Sequence, residues 1–149
     1  MIDYIIVFIL GMLPISEIRG AIIYGMGTNL NFPLVFLLGA LGNIIIIPII
    51  FFALEKLKLI NLAKKLFGKK MYQKIEKNQK HIDKWGELAL LIFIAIPAPV
   101  TGGWTGALIA TLLKMDKKKS FIVITLGIII AGLITAISVG LFAGLIKII

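Results

Sequence analysis

The sequence predicts an all-α integral membrane protein: an inverted repeat of a re-entrant helical hairpin followed by a transmembrane helix, with amphipathic cytoplasmic helices between the halves. Three observations carry that expectation. Apolar residues make up 60% of the 149, and mean hydropathy is +1.07, more than a soluble domain of this size can hide in its core. Two stretches, 32–54 and 120–146, are long and free of charge. Two shorter apolar stretches are interrupted by proline, at Pro14 in the first and at Pro97 and Pro99 in the second. The chain is read as one membrane domain, 1–149, with a first repeat at 1–54, a basic connector at 55–86 and a second repeat at 87–149.

Taken in order, Tyr4–Leu13 is an apolar run of ten residues, which covers only about half of a roughly 30 Å hydrocarbon core. It stops at Pro14-Ile15-Ser16-Glu17-Ile18-Arg19-Gly20. Ala21–Met26 resumes the apolar pattern and ends in the turn-like Gly27-Thr28-Asn29-Leu30-Asn31. Phe32–Leu54, twenty-three residues without a charge, is long enough to cross with some tilt, and Pro48 inside it predicts a kink. In the polar middle, Leu59, Leu62, Ala63, Leu66 and Phe67 recur at helical spacing, as do Met71, Tyr72 and Ile75. That is the pattern of two short amphipathic helices on a membrane surface; a soluble helical hairpin is the alternative. The first pattern then returns. Leu88–Ile96 is an apolar half-span, Pro97 to Gly106 a break, Ala107–Leu113 a second short piece and Ser120–Ile146 a full span. Internal duplication is the simplest account.

Charge sets the orientation. Formal charge is +9, and fourteen of the sixteen basic residues lie in Lys56–Lys84 and Lys114–Lys119. Lysines between hydrophobic spans mark the cytoplasmic face and meet anionic lipid, so this excess does not argue for nucleic acid. With both lysine clusters inside, the first hairpin enters from outside and the second from inside, the inverted plan of secondary transporters. Each hairpin could instead be one kinked span, but a spanning 87–113 would put Lys114–Lys119 outside, against that bias. Asp3 near the start, without lysine, arginine or a small-x-small cleavage site, argues against a signal peptide. The expected location is the cell membrane, multi-pass. A chain this short suits a homodimer.

Non-helical backbone at membrane depth survives only when buried in protein or lining a wet cavity. Two breaks therefore imply a polar site between them. Glu17 and Arg19 are the only charges between Asp3 and Glu55, and intramembrane charge usually marks function. The acid suits a proton or cation, the guanidinium a phosphate. The competing reading pairs them as a salt bridge bracing their own hairpin. Pro14, Ser16, Pro97, Pro99, Thr101, Trp104 and Thr105 lie in the breaks and are candidates for the lining. Trp104 could equally be an interfacial anchor, and Asn43 either ligand contact or packing glue between helices. Gly102-Gly103 permits a tight turn or close approach of a ligand. Helix N-termini after the breaks offer free N–H groups to an anion. The chain has no cysteine and one histidine, His81. No metal site, no cofactor, no nucleotide loop and no nucleophile–base pair is expected, so neither an enzyme nor an ATP-driven pump.

The segments Pro14 to Ile22, Gly42-Asn43 and Pro97 to Gly106 resemble the small multidrug export family, a distant relative of the DedA superfamily. The resemblance covers nearly the whole chain. It implies paired re-entrant hairpins, with acidic and basic hairpin residues as the functional candidates. DedA relatives are implicated in translocating lipid-linked phosphates, and eukaryotic relatives scramble lipids. Glu17 matches the acidic position after the first proline, with Ser16 where DedA proteins often carry a second one. The arginines of the second DedA hairpin are absent, Thr101, Trp104 and Thr105 standing there instead. The leading expectation is a transporter or flippase-like protein for an amphiphilic solute, first a lipid-linked phosphate. A proton-coupled exporter of small drugs and a non-transporting scaffold are the alternatives.

Overall fold

The computed structural model describes residues 1–56, 77, 79–98 and 101–146. Among the described residues there are six helices, α1 (Ile2–Met12), α2 (Glu17–Gly27), α3 (Phe32–Lys56), α4 (Gln79–Ala95), α5 (Gly103–Leu112) and α6 (Lys117–Ile146), and no strand. The expected surface helices fall largely at 57–76, outside them. α4 begins at Gln79 rather than near Leu88, inside the expected connector. Lysine and glutamine are good helix formers, so the amide ladder runs through a stretch where hydropathy alone places a boundary. His81 stands on that polar turn and is exposed.

Two helices, α3 and the segment Lys117–Ala143 of α6, are long and apolar enough to cross a membrane. α3 continues unbroken through Pro48. The shorter helices come in pairs that turn back on themselves. Tyr24 Oη, near the end of α2, donates to Asp3 Oδ1 at the start of α1 (3.1 Å), and the Asn31 N–H donates to Tyr4 Oη (3.2 Å). Residues 2–27 are thus a helical hairpin and not one kinked rod. In the second half Lys119 pairs with Glu87 (3.3 Å), which brings the loop after α5 back to the polar turns of α4. Lys117 pairs with Glu55 at the far end of α3. The first hairpin therefore opens at the start of α3 and the second at its end, and their tips close on its middle.

Local features recur between the two halves at a constant spacing. Asn29 and Lys114 both have φ 56°. Leu30 N–H donates to Gly25 O and Met115 N–H to Ala110 O, each at 2.9 Å. Asn31 Oδ1 caps α3 through the Leu34 N–H (3.3 Å), and Asp116 Oδ1 caps α6 through the Lys119 N–H (2.9 Å). α3 starts at Phe32 and α6 at Lys117. In every pair the second residue lies 85 positions beyond the first (114 minus 29, 116 minus 31). Glycine sets the closest approaches: a methyl on Gly42 would meet the Phe8 carbonyl of α1, and one on Gly127, its counterpart, would meet Ile94 of α4. The core is aliphatic, with Ile18, Ile22, Ile47, Ile94, Ile124 and Ile128 fully buried.

Candidate functional site

Both breaks leave helix ends without intrahelical partners, and each hairpin supplies what the other lacks. α4 ends at Ala95 with carbonyls exposed to the break. Arg19, on α2, fills that end: Nη1 donates to Ala98 O (2.6 Å), and Nη2 to Ile94 O (3.3 Å), Ile96 O (3.2 Å) and Thr101 Oγ1 (3.1 Å). A cation at a helix C-terminus also meets the negative end of the macrodipole. In return, Trp104 Nε1 donates to Met12 O (2.9 Å), the last residue of α1. The Trp104 indole thus bonds into the opposite hairpin. The tip hydroxyls complete the caps, Ser16 Oγ donating to Leu10 O (2.5 Å) and Thr101 Oγ1 to Ile96 O (2.6 Å).

Glu17 opens α2 in the left-handed region, with φ 51°, a conformation that costs a side-chain-bearing residue on the order of 1–2 kcal/mol. The turn sends its carboxylate across to the second hairpin, where it is 6% exposed. Oε1 accepts the Trp104 N–H (3.3 Å), and the Gly103 N–H points at the same group. The first residues of α5 thus spend their free amides on an internal anion. Gly102 makes room for it: any Cβ there would overlap the Glu17 carboxylate. The local salt bridge between Glu17 and Arg19 does not form. The two residues belong to one helix, yet the acid serves the N-terminus of α5 and the base the C-terminus of α4.

A cavity of about 350 Å³ lies where the tips meet. Pro14, Ser16, Glu17, Arg19, Pro97 and Thr101 line it. Asn43, fully buried in the middle of α3, is within electrostatic reach of the Glu17 carboxylate, though neither of its amide atoms makes a hydrogen bond of ordinary geometry. Thr105 is not part of this cluster. It lines a second, apolar groove of about 330 Å³ between α3 and α5, with Trp104, Leu108, Ile46 and Ile49. Pro99 lies outside the described residues. The residue missed from sequence is Gly102 as a structural partner of Glu17; the Gly102-Gly103 pair did signal a close approach, but the approaching group belongs to the chain itself.

Residues 17–134 match the family model described as "Putative small multi-drug export protein". The chain belongs to that family. The match takes in Glu17, Arg19, Asn43, Gly102 and Trp104, the groups that build the tip contacts. No curated protein and no solved structure matches the chain. As an export-family member with two helices of membrane-spanning length, it is a membrane protein.

Proposed function

We propose that the protein exports small amphiphilic solutes across the cell membrane, using the cavity between the hairpin tips as its site and Glu17 as the group that exchanges a proton for the solute. The cavity itself carries this reading: a half-open, amphiphilic space with ionisable groups in its wall, bounded by two helix breaks that lipid could not satisfy. The hairpins enter from opposite faces, each half inverted relative to the other, as their opposite openings along α3 suggest. Cysteines placed at Thr28 and Asp116 are then labelled by an impermeant maleimide from the outside and the inside, respectively. Labelling of both from one side overturns the topology.

Two solute classes compete, and the disposition of Arg19 separates them. Its terminal nitrogens are engaged by three carbonyls and a hydroxyl, so a phosphate would have to break the cap of α4 to reach them. An amphiphilic cation needs only the carboxylate, with the apolar groove beside Trp104 for its ring system. The specific point in favour of a lipid-linked phosphate is the anion-binding start of α5, once Glu17 vacates it. Reconstituted into liposomes, the wild type should expel ethidium against a proton gradient, and Glu17→Gln should reduce that flux by about tenfold or more, the scale of a lost acid–base group. Unchanged ethidium flux in Glu17→Gln overturns the assignment of Glu17. Transport of a fluorescent polyprenyl phosphate instead of ethidium would favour the lipid-phosphate reading. Movement of neither, with capture of a soluble partner through 55–84, would favour a scaffold.

A further inference from the structure

Resting on the reading of Glu17 as the exchanging group, we propose that Asn43 makes that site specific for a proton, by partnering the carboxyl group in both of its protonation states. Asn43 lies halfway along α3 with no exposed surface, and both Nδ2 and Oδ1 lack a hydrogen bond. Buried amides are nearly always paired, so one set loosely against a buried carboxyl group calls for an explanation. The polar group it approaches is the Glu17 carboxylate of α2, so contact between helices and contact with the ionisable group are here the same.

The partners of Glu17 are otherwise one-sided. Gly103 and Trp104 offer N–H groups, which serve the ionised form only. Arg19, the one charged side chain facing the carboxylate from its own helix, is likewise donor-only. From α3 comes Asn43, from α5 only backbone amides, and α6 presents Ile128 at Gly103. On α1 the acid Asp3 is at the other end, held by Tyr24. The Thr101 hydroxyl already accepts from Arg19 and from the Ala98 N–H, and the Ser16 hydroxyl is turned toward Leu10 O at the end of α1. A protonated carboxyl group needs an acceptor for its O–H. Asn43 Oδ1 is an acceptor that none of the described hydrogen bonds uses, and it packs so close to Gly103 that a methyl there would come within 2.7 Å. The same amide offers Nδ2 to the ionised form, and a half-turn of its terminal torsion exchanges the two. A sodium ion fits less well: the Gly103 and Trp104 N–H groups aimed at the carboxylate repel a metal cation, and Asn43 Oδ1 with the Ser16 hydroxyl would leave its oxygen shell short.

The test reads the carboxyl group directly. Infrared difference spectra of the purified protein, recorded against pH, contain one C=O band that disappears in Glu17→Gln. In Asn43→Leu that band should move to the frequency of an unbonded carboxyl, with its titration midpoint displaced by about one pH unit or more. Asn43→Ser, whose hydroxyl can donate or accept, should recover part of both shifts. In liposomes, proton-driven ethidium efflux should fall about tenfold in Asn43→Leu, and a sodium gradient should drive none in the wild type. An Asn43→Leu band identical to wild type in position and midpoint overturns the proposal, as does sodium-driven efflux. If the wild type moves no ethidium while the band behaves as described, the export reading falls and the proton site stands.

Discussion

Arg19→Ala is expected to cost about 3–5 kcal/mol of stability, the scale for removing one partner of a buried charged cluster, and to leave little folded protein in detergent. The reason is the set of acceptors it abandons. Ile94 O, Ile96 O and Ala98 O sit at the end of α4, and Arg19 is the side chain that bonds all three. Thr101 Oγ1 still bonds Ile96 O and Ala98 O, but Ile94 O loses its side-chain donor and the end of α4 loses the cation that faces its dipole. Arg19→Lys should recover only part of the loss, since an ammonium cannot reproduce the planar fork that spans four acceptors. Thermal unfolding followed by tryptophan fluorescence checks both. A melting curve for Arg19→Ala within a degree of wild type would mean that the cap is dispensable. The substitution would then report on transport alone.

Gly102→Ala should be nearly as damaging for a different reason. The new methyl occupies the place of the Glu17 carboxylate, which must swing away into the cavity beside it. Its expulsion strips Gly103 and Trp104 of their acceptor, at about 1.5–3 kcal/mol for each charge-assisted bond lost. We expect transport to disappear and stability to fall by about 3 kcal/mol or more. The double variant Gly102→Ala with Glu17→Ala should melt higher than Gly102→Ala alone, because the clash is gone. If the double variant is no more stable, the two positions are not in contact.

Much of the fold was legible because the bilayer imposes lengths. Phe32–Leu54 and Ser120–Ile146 announce full helices by their freedom from charge, and proline at 14 and 97 announces where the short helices stop. The site was legible only in its ingredients. Reading Glu17 and Arg19 as a local pair neglected that residues two apart on a helix do not face each other; their divergence follows from that spacing. Trp104 reads as an anchor in one dimension because its actual partner, Met12 O, lies 92 residues away in the other hairpin. Asn43 fell between two readings for the same reason: its surroundings come from α2 and α5, and no window of sequence contains all three.

Glu17 and Gly102 are also 85 positions apart, so they are counterparts in the two halves, and they touch. Where these counterparts meet there is volume for one large side chain and not for two. Duplicating a carboxylate there would put two like charges in the room of one, and a methyl alone is already too much at position 102. The frame therefore admits a single carboxylate at its centre, and the half that bears it breaks the likeness between the two.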